Sequence, residues 1–243
     1  QTQQTTCIDC PAGTARATHD NDDDPWDGGT NNNVADAEAD CIVCPSGEYQ
    51  HQTQQNACID CPAGTVRYSD DADSNSWNGA TNNDIADTKA DCKVCPSGRY
   101  QNQPGKTECK HCPAGTMRAA DSANDNKFWD GQTSSSNMLV ADEEADCKVC
   151  SSGQYQHQTE QTTCIDCPAG TVRYSDTVDG TSWNGTNNDI ANAKADCKVC
   201  PSGRYQNEAG TTDCKHCPAG TIRAADSAKD NQFWDGQTSS SNM

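Results

Sequence analysis

The sequence predicts small disulfide-rich repeats, mostly loops and short β-hairpins, drawn out as an elongated tandem-repeat rod without a large hydrophobic core. Three observations predict it. The 243 residues hold 18 cysteines, and every one belongs to a Cys-x-x-Cys pair. Only one Leu (Leu139) and two Phe (Phe128 and Phe233) are present, and Ile and Val are sparse. The pairs also recur in a fixed rhythm, which is the signature of a repeat architecture.

The pairs are 7/10, 41/44, 58/61, 92/95, 109/112, 147/150, 164/167, 197/200 and 214/217. Each has a glycine three residues after its second cysteine, and every pair but one has proline directly after it; Ser151 is the exception. Proline presets a turn, and glycine supplies backbone conformations that other residues avoid. Each pair is therefore read as a knuckle, a tight turn carrying two sulfurs.

The apolar content lies far below the roughly 20% of Leu, Ile, Val and Phe under which an uncrosslinked, charged chain is expected to be disordered. Burial alone then cannot offset a backbone entropy loss of about 1–2 kcal/mol per residue. Crosslinks must help, and a disulfide closing a loop of ~15 residues is worth roughly 3 kcal/mol in the chain-entropy picture.

The spacers alternate. Thirteen residues separate Cys44 from Cys58, Cys95 from Cys109, Cys150 from Cys164 and Cys200 from Cys214. About thirty separate the other neighbours. This divides the chain into repeats at 1–57, 58–108, 109–163 and 164–213, with a partial repeat at 214–243. A second period spans two repeats: Phe128-Trp129-Asp130-Gly131 returns as Phe233-Trp234-Asp235-Gly236. Both ends of the sequence fall inside a repeat, so a longer tandem array is expected.

The short spacer opens Pro-Ser-Gly-x-Tyr-Gln and is predicted to form a small hairpin, with Tyr49, Tyr100, Tyr155 and Tyr205 over the sulfurs. The long spacer opens Pro-Ala-Gly-Thr-x-Arg and carries one tryptophan each: Trp26, Trp77, Trp129, Trp183 or Trp234. These tryptophans are read as apolar anchors. Its close, as in Ile85-Ala86-Asp87-Thr88-Lys89-Ala90-Asp91-Cys92, is predicted to make a single helical turn.

A net charge of −19 argues against nucleic acid and anionic membrane surfaces. No apolar run reaches membrane-spanning length. The cysteines admit three chemistries. Structural disulfides fit the even count and the missing core, and they imply an extracellular or cell-surface location. Four-cysteine zinc sites fit the spacing, but nine pairs leave one over. Thioredoxin-like redox chemistry uses its motif once per domain, not nine times.

The run Cys-x-x-Cys-Pro-Ala-Gly-Thr, followed by Ala-Asp-Cys-x-Val-Cys-Pro-Ser-Gly-x-Tyr-Gln, resembles the ephrin-receptor-like or growth-factor-receptor-like cysteine-rich repeat. It is also similar to the first loop of tumour-necrosis-factor-receptor modules and to cysteine-rich surface antigens of ciliates. The long spacers depart from that pattern in being longer and more acidic. The resemblance implies a staggered pairing: Cys10–Cys41, Cys44–Cys58, Cys61–Cys92, Cys95–Cys109, Cys112–Cys147, Cys150–Cys164, Cys167–Cys197 and Cys200–Cys214. Cys7 and Cys217 would then have partners outside the sequence. Crossed pairing within each four-cysteine block stays open.

Acidic tracts nominate Asp22, Asp24, Asp71 and Asp73 as calcium ligands, although the EF-hand glycine and terminal glutamate are missing. Asn184-Gly185-Thr186 is the one N-glycosylation sequon, and Thr133, Ser134, Thr238 and Ser239 are O-glycosylation candidates. The five histidines, His19, His51, His111, His157 and His216, make no catalytic constellation. The chain is expected not to be an enzyme and to require no cofactor, with calcium the one candidate.

These readings converge on a structural component of a stalk, coat or filament on a microbial or protist surface, partnered by copies of itself and by glycans. The alternative is a receptor-type binding module for a protein partner or calcium.

Overall fold

The computed structural model describes residues 9–16, 40–68, 86–88, 91–120, 141–174 and 190–225. Among them the regular structure is almost wholly two-residue strands, paired in sequence order as antiparallel two-stranded sheets. β1 (Thr14–Ala15) pairs with β2 (Ile42–Val43), and β3 (Glu48–Tyr49) with β4 (Ile59–Asp60). β5 (Thr65–Val66) pairs with β6 (Lys93–Val94), and β7 (Arg99–Tyr100) with β8 (Lys110–His111). β9 (Thr116–Met117) pairs with β10 (Lys148–Val149), and β11 (Gln154–Tyr155) with β12 (Ile165–Asp166). β13 (Thr171–Val172) pairs with β14 (Lys198–Val199), and β15 (Arg204–Tyr205) with β16 (Lys215–His216).

Each knuckle from 41/44 to 197/200 therefore has two duties. The two residues between its cysteines are the second strand of one sheet, and the residues after its Pro-x-Gly turn begin the next. The short spacers form the expected hairpins. The long spacers are closed by the same kind of sheet, which two-residue strands, too short for any period-2 pattern, did not announce.

The turn explains the motif. Gly64 has φ 83°, and Thr65 returns both its amide (3.0 Å) and its hydroxyl (2.8 Å) to the carbonyl of Pro62. Glycine makes the left-handed position free of Cβ strain, and the threonine hydroxyl adds a second donor to one acceptor. Ser151 does the same work in the one knuckle without proline, accepting from Gln154 at 3.0 Å.

Contacts divide the chain into two compact units: Gln1–Cys95 with Gln101–Cys109 and Asn126–Asp142, and Pro96–Tyr100 with Lys110–Asp125 and Glu143–Met243. In the first, Tyr49 and Ala86 cluster with Cys61 and Cys92, and Val66 with Cys95 and Cys109. In the second, Tyr155 and Ala191 cluster with Cys167 and Cys197, and Val172 with Cys200 and Cys214. These cores are sulfur with one or two apolar side chains laid on it. Tyr49 and Tyr155 cover sulfurs as expected, whereas Tyr205 is 38% exposed. Ala86 and Ala191 stand beside Tyr49 and Tyr155, and among the described residues no alanine takes that place beside Tyr205.

The closing stretch is a single 3-10 turn at η1 (Glu144–Asp146) and η2 (Lys194–Asp196). Asp146 accepts from the Glu143 amide at 3.0 Å, and Asp196 from the Ala193 amide at 2.8 Å. A short side chain capping its own turn is why aspartate directly precedes the cysteine.

Candidate functional site

The site is the series of disulfides and the polar side chains packed beside them. Among the described residues eight disulfides are present: Cys10–Cys41, Cys44–Cys58, Cys61–Cys92, Cys95–Cys109, Cys112–Cys147, Cys150–Cys164, Cys167–Cys197 and Cys200–Cys214. Each joins the second cysteine of a knuckle to the first of the next. Cys217 carries no disulfide, and Cys7 lies outside the described residues.

The backbone follows the sulfurs. In the first unit the Cys61 amide donates to the Gly47 carbonyl at 2.8 Å, and the Cys95 amide to the Gly64 carbonyl at 3.0 Å. In the second, Cys112 donates to Gly98 at 2.9 Å and Cys167 to Gly153 at 2.8 Å. The turn glycine of one knuckle is thus tied to the second cysteine of the next.

Polar side chains are buried in place of a core: the turn threonines Thr14, Thr65, Thr116 and Thr171, and beside them an arginine and a glutamine. Arg67, Arg118 and Arg173 are only 6%, 8% and 6% exposed. Arg67 Nη1 donates to the Pro45 carbonyl at 2.9 Å and to the Cys44 carbonyl at 3.3 Å. Arg118 Nη1 reaches the Pro96 carbonyl at 2.9 Å, and Arg173 Nη1 the Ser151 carbonyl at 3.0 Å. A buried guanidinium is costly unless its donors are met, and backbone carbonyls meet Nη1 of each, whereas Nη2 of Arg67 is buried with no hydrogen bond among the described residues. The surplus negative charge of the chain also favours a fixed cation.

The glutamine after each short-spacer tyrosine is the second clasp. Gln50 and Gln156 are 2% exposed. Gln50 Nε2 donates to the Ala57 carbonyl at 2.8 Å, and its Oε1 accepts from the Gln52 amide at 3.0 Å. Gln156 repeats this with Thr163 and Gln158 at 2.8 and 3.1 Å. Neither Arg nor Gln entered the sequence reading as structural. The signal that would have found them is their return at the same place in every repeat of a chain with little else to bury.

At the tip of each short hairpin one residue takes a left-handed conformation: Gln54 (φ 65°), Gly105 (66°), Glu160 (62°) and Gly210 (69°). Within the first unit the Gly105 tip sits on Gly47; within the second, Glu160 sits on Gly98 and Gly210 on Gly153. A Cβ on Gly98 would lie 2.6 Å from the Glu160 carbonyl oxygen. Glu160 adds an ion cluster, with Oε1 on Arg99 Nε at 2.5 Å and Oε2 on His111 Nδ1 at 2.8 Å. The Arg99 hydrogen bond, with the charges of Arg99 and His111, holds the Glu160 carboxyl below the usual carboxylate range, against a smaller opposing effect of burial.

The calcium candidates Asp22, Asp24, Asp71 and Asp73 lie outside the described residues, as do the glycosylation candidates Asn184, Thr133, Ser134, Thr238 and Ser239 and the five tryptophans. Among the described residues no group of three or more His, Cys, Asp or Glu is placed to hold a metal ion. Among them, too, no helix is long and apolar enough to cross a membrane.

Four tandem stretches, residues 29–76, 84–127, 139–179 and 188–232, match the family model described as tyrosine-protein kinase ephrin type A/B receptor-like. The matches take in more than half of the chain. The chain belongs to this family. Each ephrin receptor-like repeat is centred on a short hairpin and holds the knuckle on either side of it. No curated protein matches the chain. Disulfide-rich ephrin receptor-like repeats fit an extracellular module, the setting in which such crosslinks persist.

Proposed function

We propose that this chain is an extracellular structural protein, part of a stalk, coat or filament on a microbial or protist cell surface. It assembles with copies of itself, bears glycans, needs no cofactor and catalyses no reaction. Its repeats run 1–57, 58–108, 109–163 and 164–213, with a partial repeat at 214–243.

One observation carries the reading. A short-hairpin tip fits onto a turn glycine, and the same contact is made at Gly47, Gly98 and Gly153. The hairpin tips are thus engaged by hairpins of the same kind. Repetition of one contact is the logic of an extended structural element.

The test is electron microscopy and sedimentation of the oxidised full chain over a range of concentrations. Extended particles whose size grows with concentration are expected. Compact particles that stay monomeric at every concentration overturn the assembly. A receptor-type module would instead bind a protein or calcium as a monomer, and calorimetric titration with calcium reads that outcome. The intact mass of native material reports the glycans; an unmodified mass removes them.

A further inference from the structure

The disulfides enclose loops of two sizes but share one width. Partners 14 residues apart and partners 30, 31 or 35 apart all hold their Cα atoms 5.6–5.8 Å from each other. Between one disulfide and the next the chain runs only across a knuckle, three residue steps from its first cysteine to its second. A continuous covalent path therefore leads from Cys10 to Cys214 through eight disulfides and seven knuckles and enters no spacer.

We infer that the chain is a mechanically short-circuited tether: tension on its two ends runs along the sulfur ladder and bypasses every spacer. A knuckle pulled straight spans about 10–11 Å at roughly 3.3–3.6 Å per residue. With the eight disulfide spans added, the path from Cys10 to Cys214 cannot exceed about 120 Å. The same backbone with its sulfurs unlinked reaches about 700 Å. The knuckles are also strands already, as Ile59–Asp60 and Ile165–Asp166 show, so little slack is left in them.

The consequence is a division of labour. The Gln50 clasp and the hairpin tips lie in the spacers, off the load path, and the Arg67 clasp touches it only at the Cys44 carbonyl, so tension does not run through them. The long spacers can differ in length, as the 30-, 31- and 35-residue separations do, without changing the width of a single rung. Spacer chemistry is free to vary while the tether keeps its reach.

A dithiol reductant is the co-reactant that opens the ladder. One reagent thiolate attacks a sulfur of the rung, the S–S bond breaks, and the second reagent thiol resolves the mixed disulfide. Two electrons and two protons pass to the protein, leaving two cysteine thiols, and the reagent closes to its own disulfide. Opening a 14-residue loop releases about 40–45 Å, and opening a loop of 30–35 residues about 95–120 Å. The tether needs only this sulfur pairing; it holds whether or not the chain associates with copies of itself.

The test is single-molecule pulling of the full chain by handles on its two termini, without and with dithiothreitol. Oxidised, the extension is expected to saturate near about 250 Å, including the tails outside the ladder. With reductant it should grow in steps of the two sizes above, to about 800–870 Å. Inserting a flexible twenty-residue segment into the spacer 69–85 should leave the oxidised extension unchanged, while Cys61→Ala with Cys92→Ala should add about 100 Å. Oxidised chains that stretch several hundred ångström would overturn the tether, because crossed pairing of Cys41 with Cys58 and Cys44 with Cys61 leaves the long spacers under load. A spacer insertion that lengthens the oxidised chain would overturn it equally.

Discussion

Arg67 reaches back twenty-two residues to donate from Nη1 to the carbonyl of Pro45 at 2.9 Å, while its own carbonyl accepts from the Gly47 amide at 3.1 Å. One residue thus closes both sides of the preceding knuckle. Arg67→Met keeps the stem but removes the donors, and a hydrogen bond from a charged group is worth about 1.5–3 kcal/mol. The expected result is hydrogen exchange at the Gly47 amide that is faster by about 10- to 150-fold, with the disulfides intact. Unchanged protection at Gly47 would show the guanidinium to be a bystander.

Gly98 and Gly203 form a matched pair for a second experiment. Their φ angles are 77° and 76°, so alanine meets the same left-handed backbone at each, a cost of about 1–2 kcal/mol. Only at Gly98 does the new Cβ meet the Glu160 carbonyl; at Gly203 nothing lies within 4 Å. Gly98→Ala should strip protection from the Cys112 and Glu160 amides, which bond into that contact. Gly203→Ala should slow-exchange much as the parent does elsewhere in the chain. Equal damage from the two would mean that the hairpin tip does not rest on the glycine.

The Glu160 cluster sets a pH dependence with a definite sign. The folded carboxyl titrates below its ordinary value of 4.5, so the unfolded state binds the proton more readily. The stabilisation is fully present above the unfolded pKa and is lost as pH falls through the lower, folded one. Carbon-detected NMR titration should place the Glu160 midpoint below that of an exposed glutamate, and Arg99→Met should bring it back up. A midpoint that ignores Arg99 would remove the ion pair from solution.

Reduction should proceed in an order set by burial. Cys58 and Cys164 are half-buried, whereas both partners of Cys61–Cys92, Cys112–Cys147 and Cys167–Cys197 are fully buried. Thiol exchange needs access to a sulfur. Limited dithiol followed by alkylation should therefore label Cys44 with Cys58 and Cys150 with Cys164 before any long-spacer pair. Mapping of the untreated protein tests the connectivity itself: a peptide linking Cys41 to Cys58 contradicts it.

The sequence by itself determined the knuckle, its turn and the rhythm of the chain. These are local facts: a left-handed position needs glycine, a proline presets its turn, and cysteines three apart sit on one short strand. It also determined that no ordinary core could form, since one Leu and two Phe cannot cover 243 residues. The tertiary structure alone decided what replaces that core. Arg67 and Gln50 read as surface residues from composition, yet both are buried because carbonyls from other parts of the fold converge on them. The acceptors for Arg67 lie in the preceding knuckle, 22 and 23 residues away, brought close by disulfides at Cys44 and Cys61. The tip contacts at Gly47, Gly98 and Gly153 were equally hidden. Both depend on where one loop falls upon another, and a hydrogen bond between distant backbone groups leaves no mark on the residues between them.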